Sequence, residues 1–455
     1  LPTKIMSSPY RLHLLLIAVL PLLLACKSSW QPTSGDQTTM TLLAIKKEWG
    51  NPWQLVSWDP VANADHCQWT GVVCGGRRSG AVTGISLPKL NLTGKVPERL
   101  CDLPSLTCVD LSFNNLTGEF PDAPLYNCSQ LRFLDLSYNA FHGVLPDDIS
   151  RLSPAMEHLN LSRNYFGGTV PASVAGLPAL RSLILDTNQF TGAYPAAEIS
   201  KLARLEQLTL AMNPFAPAPA PPEFAKLTNL SDLWMSDMNI TGEIPTAYSS
   251  LVNLQLIDTS QNNLTGEIPA WVWQHPKLKY LNLYGNRLTG ELPRKIRALN
   301  IIHLVVADNQ LTGEIPEDIG NLKNLTILFM YTNQLSGTIP TSIAMLPNLR
   351  VILLSKNNLS GELPVKLWSL PMLNNMMIQN NSFTGVLPTM IPENIYHIDI
   401  GDNKFSGPLP TSATGLRVLR AANNLLSGQL PSDMNKFANL TRFVLRGNQL
   451  TGFIP

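Results

Sequence analysis

Hydrophobic and polar positions alternate along most of the chain in one phrase that recurs about every 24 residues. The fullest form of the phrase is L-x-x-L-x-L-x-x-N-x-L-x-G-x-I-P, and "LRFLDLSYNAFHGVLP" at residues 131–146 is close to it. Its asparagine position falls at 90, 114, 139, 164, 188, 213, 238, 262, 286, 309, 333, 357, 381, 403, 424 and 448, which makes sixteen repeats. A repeat this regular predicts a solenoid in which each repeat buries the apolar edge of its neighbours.

The leucine spacing predicts one short strand in each repeat. In the repeat quoted above, Leu134 and Leu136 point into the core, and the residues beside them point outward at a period of two. The period lies in the range of leucine-rich repeats and outside the ankyrin and tetratricopeptide ranges. The predicted fold is therefore an α/β leucine-rich repeat solenoid of about 16 repeats of about 24 residues.

The repeat asparagine is predicted to hold the turn after the strand. Its amide both donates and accepts, so Asn139 can satisfy main-chain groups in its own repeat and in the adjacent one. Leu90 and Met238 stand where the other fourteen repeats have asparagine. Leu90 opens the array, whereas at Met238 we expect an altered turn or a substitute such as Asn239.

Composition and motifs exclude several functions. The 33 basic and 32 acidic residues leave a net charge of +1, so no electrostatic footprint for nucleic acid or anionic lipid is present. There is no G-x-G-x-x-G, Walker, H-E-x-x-H or G-x-S-x-G motif, and we predict no enzyme activity, cofactor or metal site. His158, His303 and His397 share a strand position, but the nearest two lie about 19 Å apart at the usual strand spacing.

Residues 1–29 are predicted to be a leader and signal peptide. Arg11 precedes the apolar run "LHLLLIAVLPLLLA", which ends at Ala25 and is too short for a membrane span. A lipoprotein signal is the alternative, because Cys26 follows the run. We therefore expect an extracellular chain in an oxidising compartment, which permits disulfides and glycans.

Two further stretches carry a resemblance to a known family. They are "TLLAIKKEWGNPWQLVSWDPVANADHCQWTGVVC" at residues 41–74 and "LPKLNLTGKVPERLCDL" at residues 87–103. Together with the repeat phrase they resemble the ectodomains of plant leucine-rich repeat receptor-like kinases, most of all the HAESA-like branch. The resemblance implies an N-terminal cap at residues 30–79 and repeats at residues 80–455. It also implies a right-handed superhelix whose concave strand face binds a secreted peptide, a co-receptor with a shorter ectodomain, a membrane span and a serine/threonine kinase.

The chain as given differs from that family at its end. It stops at Pro455 with no closing cap, span or kinase, so contact with a membrane is expected only through a span absent from this chain. We expect a truncated receptor in preference to a naturally short secreted form.

Cysteine spacing predicts two disulfides. Cys67 and Cys74 are spaced as in the family cap, and Cys101 and Cys128 lie on similar parts of consecutive repeats, although the sequence leaves this second pairing open. Cys108 would then keep its thiol.

Eleven N-x-S/T sequons occur, some of them by-products of the repeat phrase "NNLT". Asn160 lies on the predicted strand face, where we expect it to be unmodified. The candidate glycosylation sites are Asn91, Asn115, Asn127, Asn229, Asn239, Asn263, Asn324, Asn358, Asn380 and Asn439.

Outward strand positions are where binding specificity can vary, because packing fixes the inward ones. Aromatic and polar residues cluster there in repeats 7 to 11, which is typical of binding patches, although repeat proteins also tolerate scattered aromatics. The predicted ligand-binding residues of this cluster are Trp234, Asp258, Tyr280, Asn282, Tyr284, Phe329 and Tyr331.

Arginines near the far end form a second candidate. In HAESA-like receptors two arginines on one strand, separated by one residue, hold the terminal carboxylate of the ligand. Here Arg442 occupies the first place and Val444 the second, so Arg446 or Arg420 would have to supply the other guanidinium. Simple solvated arginines are the alternative.

The sequence thus predicts the extracellular ectodomain of a plant receptor-like kinase that binds a short secreted peptide. The alternative is a secreted defence protein that resembles polygalacturonase inhibitors, and a third possibility is a structural or ice-associated wall protein.

Overall fold

The structure, a computed structural model, describes residues 35–75 and 80–453. The predicted leader and signal peptide, with Cys26, lie outside the described residues. The described chain forms two compact units, one that ends at Leu205 and one that begins at Glu206. Each unit is described by itself below, as the first unit and the second unit.

The first unit begins with a cap around tryptophan side chains. Its helix, Gly35–Glu48, is followed by Gly50 at a φ of +75°. Trp58 and Trp69 are almost completely buried and stack with ring centroids 6.1 Å apart. The indole N–H of Trp58 donates to the Thr70 carbonyl at 2.8 Å, so the polar edge of this large apolar ring is also satisfied.

One short parallel strand per repeat builds the main sheet of each unit, as the leucine spacing predicts. In the first unit the strand Val72–Cys74 pairs antiparallel with Val82–Ser86, and the parallel strands continue from there. They are Cys108–Asp110, Phe133–Asp135, His158–Asn160 and Ser182–Ile184. In the second unit they are Gln207–Thr209, Asp232–Trp234, Leu256–Asp258, Tyr280–Asn282, His303–Val305, Ile327–Phe329, Val351–Leu353, Asn375–Met377, His397–Asp399, Val418–Arg420 and Arg442–Val444.

Shorter strands pair in parallel at the corner where the repeat glycine lies. Gly266 has a φ of +75°, and a Cβ there would lie 2.8 Å from Glu243 Cγ, so this corner requires glycine. In the first unit these strands are Thr93–Gly94, Asn115–Gly118, Ala140–Val144, Tyr165–Gly168 and Gln189–Phe190. In the second unit they are Ala218–Pro219, Ile240–Gly242, Asn263–Leu264, Ser336–Gly337, Asn358–Glu362, Ser382–Thr384, Ser406–Gly407, Leu425–Gly428 and Gln449–Leu450.

The segments that return to the next strand are mostly single 3₁₀ turns. The repeat proline precedes many of them, as Pro316 precedes Glu317–Asn321, and a buried residue such as Ile319 anchors the turn. The 3₁₀ segments are Trp53–Leu55, His66–Gln68, Glu98–Asp102, Ile149–Arg151, Ala172–Gly176, Pro222–Lys226, Thr246–Ser250, Glu317–Asn321, Thr341–Met345, Val365–Ser369 and Met434–Phe437. The short α-helical segments are Asp122–Leu125, Ala196–Ile199 and Ala270–Gln274.

The repeat asparagines form the hydrogen-bonded ladder that the sequence predicts. Asn139 Nδ2 donates to the Leu136 carbonyl of its own repeat at 3.1 Å and to the Leu111 carbonyl of the preceding repeat at 2.9 Å. Its Oδ1 accepts from the Leu116 N–H at 2.9 Å. One buried amide therefore satisfies the turns of two consecutive repeats.

Met238 interrupts this ladder and is completely buried. Asn239 takes up part of the missing function, because its Nδ2 donates to the Phe215 carbonyl of the preceding repeat at 2.9 Å. The substitute that the sequence suggested is present.

The residue before the repeat asparagine adopts a left-handed conformation. Phe113, Arg163 and Thr187 have φ values of 55°, 53° and 56°, although none of them is a residue type that favours this region. The N–H groups of Phe113 and Arg163 donate to the next repeat, at the carbonyls of Ser137 and Asp186, both at 2.9 Å. Pairing between repeats thus compensates the local strain.

Candidate functional site

The outward side chains of the main strands in the second unit form the surface that we call the sheet face. Equivalent strand residues lie opposite one another in register, as when Trp234 pairs with Asp258 and Asp258 with Asn282. The same register aligns Phe329 with its neighbours and, four strands further on, Arg420. Side chains that are distant in sequence therefore form continuous rows on the sheet face.

Three of the predicted residues meet in an aromatic cluster. The ring of Tyr331 lies 6.1 Å from that of Tyr284 and 6.2 Å from that of Phe329, measured between centroids. All three are partly exposed. Between the two tyrosines lies the repeat of the strand His303–Val305, in which the Ala307 carbonyl accepts from the Gly285 N–H at 3.1 Å. Burial, together with the nearby Tyr284 hydroxyl, raises the pKa of Tyr331 well above its ordinary value, so the phenol stays neutral.

Tyr280 adds a further aromatic ring to the sheet face. It is the first residue of its strand and lies opposite His303, the first residue of the next strand. Its ring meets that of His303 edge to face, with centroids 5.0 Å apart. Burial, and to a lesser extent Asp232, raises the pKa of Tyr280. Burial also raises the pKa of Asp232, while Lys279 acts in the opposite direction. This part of the sheet face thus combines aromatic rings with a carboxyl group, that of Asp232, whose pKa is raised.

Asp258 and Asn282 are held by the protein itself. Asp258 is only 8% exposed, and its Oδ1 accepts from the Ser260 N–H at 2.9 Å while its Oδ2 accepts from Asn282 Nδ2 at 2.8 Å. Asn282 Oδ1 in turn accepts from the Tyr284 N–H at 3.2 Å. Their polar atoms thus fix the strand ends, and the ligand contact that the sequence suggested for these two residues stays a prediction.

Trp234 stands beside this pair. It is partly exposed, and its indole N–H donates to Ser236 Oγ at 2.7 Å. The indole ring therefore has a fixed orientation on the sheet face.

Arg420 is oriented by a neighbour that the sequence analysis missed. Its Nη1 donates to Asp399 Oδ2 at 3.3 Å, while Asp399 Oδ1 accepts from the Gly401 N–H at 3.2 Å. Nε of Arg420 and Nε2 of the nearby His397 are buried without hydrogen-bond partners. Burial is the main cause that lowers the pKa of His397, with Arg420 acting in the same direction. The register of aspartate against arginine on consecutive strands could have revealed this group.

Arg442 and Arg446 are exposed on the last described main strand and just after it. Arg442 lies opposite Val418, whereas Arg420 lies opposite Val444. The structure therefore places Arg442 and Arg420 in different rows of adjacent strands. Arg420, the arginine nearest to the aromatic cluster, lies four strands from Phe329. At the usual distance between neighbouring strands this separation is about 19 Å.

The strand face of the first unit is polar. Asp110 and Asp135 lie opposite each other, and Asn160 Nδ2 donates to Asp135 Oδ2 at 2.9 Å. Burial raises the pKa of Asp135 to about 6, and Asp110 acts in the same direction. Burial lowers the pKa of His158 to about 4, and its ring stacks on Phe133 with centroids 4.4 Å apart.

Both predicted disulfides, Cys67–Cys74 and Cys101–Cys128, are present in the structure. Cys108 is buried and belongs to neither. Cys67 and Cys74 lie near His66, but because their sulfurs are bonded to each other they offer no thiolate to a metal.

The sequons of the second unit lie off its main strands. Asn239, Asn263 and Asn358 follow the strand of their repeat by several residues, and Asn229 and Asn324 precede it. Asn380 and Asn439 also lie outside the strands. In the first unit Asn91, Asn115 and Asn127 are exposed, whereas Asn160 lies on the strand His158–Asn160 with its amide bonded to Asp135.

Comparisons with known proteins match both parts of this architecture. Residues 35–75 match the leucine rich repeat N-terminal domain family. The leucine rich repeat family matches residues 105–126, 130–152, 155–177, 277–299, 300–322 and 348–370. Neither family is a catalytic domain. In the part of the chain that the structure describes, no helix is both long enough and apolar enough to cross a bilayer.

Solved structures extend the comparison to most of the chain. A TDR receptor is 34% identical with a TM-score of 0.78, and the match covers 83% of this chain and 66% of that one. The Arabidopsis receptor kinase HAESA, in complex with the peptide hormone IDA and the co-receptor SERK1, is 28% identical with a TM-score of 0.63. That match covers 92% of this chain and 87% of that one.

Curated relatives match over shorter segments. Polygalacturonase inhibitor 1 of Arabidopsis thaliana is 35% identical over 123 residues, which are 26% of this chain and 36% of the inhibitor. The matched segment spans only 6% of the Arabidopsis leucine-rich repeat receptor protein kinase EMS1. The matches therefore span well under half the length of these relatives.

The fold and its repeated turns define a leucine-rich repeat solenoid protein, and that prediction is confirmed. Within this class, the matches support membership of the family of plant leucine-rich repeat receptor-kinase ectodomains. Assignment to the HAESA-like branch stays a prediction.

Proposed function

We propose that this chain is the extracellular ligand-binding part of a plant receptor-like kinase, and that it binds a short secreted peptide in extended form along the sheet face. The aromatic cluster of Tyr284, Phe329 and Tyr331 is the observation that carries this proposal. Partly exposed aromatic rings on a rigid sheet are costly to leave in water and are typical anchors for a partner. A co-receptor with a shorter ectodomain is the further partner that we propose.

The position of the sequons supports the same surface. Glycans on the second unit would emerge before or after its strands and would leave the sheet face open to a ligand. The structures of HAESA with IDA and of PEPR1 with AtPEP1 concern similar ectodomains in complex with named ligands. We carry peptide binding over to this chain as a proposal, with the HAESA-like branch as its finer form.

The exposed arginines are the proposed anchor for the end of the peptide. Arg442 and Arg446 are exposed, whereas Asp399 already neutralises part of the charge of Arg420. We therefore assign the main attraction for a terminal carboxylate to Arg442, with Arg446 beside it and Arg420 in the adjacent row. Asp258 and Asn282 serve this site by fixing the strand ends from which Tyr284 projects.

Calorimetric titration of synthetic secreted-type peptides into the purified chain tests the proposal. For a peptide that binds, Tyr331→Ala is expected to weaken affinity about tenfold or more, the range of an aromatic anchor. Tyr165→Ala is the matched control, because Tyr165 is 56% exposed on the first unit and outside the main strands. Binding that is equally sensitive to both substitutions, or the absence of binding across the peptide set, contradicts the proposal.

A charge reversal separates the anchor from the aromatic cluster. Arg442→Glu is expected to lower the affinity for a peptide with a free terminal carboxylate. The affinity for the amidated form of the same peptide should be nearly unchanged. If Arg442→Glu left the affinity for the free-carboxylate peptide unchanged, the assignment of the arginines would be refuted. The aromatic cluster would not be affected by that result. Inhibition of a fungal polygalacturonase without peptide binding would instead favour the inhibitor alternative.

A further inference from the structure

Five sequons occupy the same place in their repeats, directly after the position of the repeat asparagine. They are Asn91, Asn115, Asn239, Asn263 and Asn358. Two residues before each lies a residue in the left-handed conformation, with φ between 54° and 60°. Among these five described sites, Asn115 alone has an aromatic residue there, namely Phe113.

Phe113 belongs to a ladder of stacked side chains in the first unit. Its ring is parallel to that of Tyr138, with centroids 3.8 Å apart and planes inclined by 14°. Lys89 Nζ, from the preceding repeat, lies 4.9 Å from the centroid of Phe113, and Arg163 Cζ lies 4.8 Å from that of Tyr138. Phe113 is nevertheless 42% exposed. Tyr138 thus supports one face of the ring, while only a flexible lysine covers the other.

The amide of Asn115 extends towards the preceding repeat, the same repeat that contributes Lys89. Its Nδ2 donates to Asn91 Oδ1 there, while Lys89 Nζ lies over the ring of Phe113. An asparagine amide has two N–H groups, and glycosylation consumes one of them. The bond to Asn91 can therefore persist in a modified protein.

We propose that Asn115 carries an N-linked glycan whose first sugar packs against the ring of Phe113, with Tyr138 as support. The apolar C–H face of the pyranose would replace the ammonium group of Lys89. The modification joins Asn115 Nδ2 to the anomeric carbon and breaks the bond from that carbon to the diphosphate of a lipid-linked oligosaccharide, while the amide loses one proton. This inference rests on the extracellular location that we propose, because the donor is encountered during secretion.

Asn358 provides a matched comparison within the chain. It is exposed, it occupies the same repeat position, and Lys356 before it has a φ of 55°, the same as Phe113. Phe113→Lys therefore removes the aromatic platform without demanding a new backbone conformation. Lys356→Phe introduces an aromatic ring before Asn358.

The test uses the full chain secreted from a eukaryotic host, with glycopeptide mass spectrometry for occupancy and hydrogen exchange for packing. Each protein is compared after trimming to a single N-acetylglucosamine and after complete sugar removal. The retained sugar is expected to slow exchange around residues 113–117 by about two- to fivefold, as for one aromatic contact. Phe113→Lys should abolish this difference, and Lys356→Phe should create a similar one around Asn358.

Two results would overturn the inference. One is an unoccupied Asn115 in the secreted protein, and the other is a sugar effect that is equal with and without Phe113. Neither outcome depends on peptide binding. A packed sugar in a chain that binds no peptide would uphold this inference and refute only the proposed ligand.

Discussion

Removal of one ladder amide should destabilise the second unit far more than removal of a surface amide. Asn262 is 8% exposed, and its Nδ2 donates to the Met235 carbonyl at 2.9 Å and to the Thr259 carbonyl at 2.9 Å. Its Oδ1 accepts from the N–H groups of Met238 at 3.0 Å and Ile240 at 2.9 Å. Asn262→Ala would remove the bonds to all four groups, although the Thr259 carbonyl would still accept from Asn286 Nδ2 at 3.0 Å.

The magnitude follows from the two N–H groups in particular. A buried donor left without an acceptor costs about 1–3 kcal/mol, so the pair sets a range of about 2–6 kcal/mol. Water that enters the vacated space would satisfy part of this demand. We therefore expect a loss of about 3 kcal/mol.

Native-state hydrogen exchange is the suitable assay, because repeat arrays need not unfold in one step. The Ile240 amide should exchange with a local opening free energy lowered by about that amount. Asn348→Ala is the control, since the exposed Asn348 donates one bond to the Lys323 carbonyl of the preceding repeat at 2.8 Å. Its expected cost is below about 1 kcal/mol. Equal losses in the two variants would refute the role assigned to the ladder.

Two charge substitutions follow from the strand-end aspartates. Folding raises the pKa of Asp135 to about 6, so the folded state favours the protonated carboxyl. The free energy of unfolding therefore falls as pH rises through that value. Asp135→Asn should therefore stabilise the chain by about 1–2 kcal/mol at pH 7.5, with allowance for screening, and should match the original protein near pH 4 in thermal unfolding. Asp399→Asn should fold normally, because asparagine makes the same strand-end contact at Asn160. Without the carboxylate beside it, the pKa of His397 should fall further in an NMR titration, and a rise would contradict the proximity of the two groups.

Much of the solenoid could be predicted because its interior repeats. The leucines of the strand and the asparagine of the turn recur at fixed spacing, and a one-residue error would bury polar groups. The asparagine amide has the donors and acceptor that two consecutive turns need, which is why its bonds to both repeats could be expected. The identity of Asn239 as the substitute beside Met238 followed from the same reasoning.

The left-handed residue before the asparagine could not be predicted in the same way. Phe113 and Arg163 carry no preference for that conformation, and their strain is compensated by main-chain bonds to the next repeat. Such compensation is a property of the stacked array. A single repeat phrase does not display it.

The candidate site was only partly readable for a related reason. Strand alternation showed which side chains point outward, but it did not show which of them already have partners. Asp258 stays a predicted ligand contact, and the structure adds that it accepts hydrogen bonds from Ser260 and Asn282. Arg420 likewise stays a predicted ligand contact, and the structure adds an ion pair with Asp399 on the adjacent strand. The contact between the rings of Tyr284 and Tyr331 depends on side-chain orientation, which strand alternation does not show.

Hydroxyl-radical footprinting of the chain with and without a bound peptide tests the central claim most directly. Oxidation of Tyr284, Phe329 and Tyr331 should fall on binding, because the peptide would cover the sheet face. Oxidation of the exposed Tyr165 should remain unchanged. Protection of Tyr165 with unaltered oxidation of the aromatic cluster would contradict a ligand site on the sheet face.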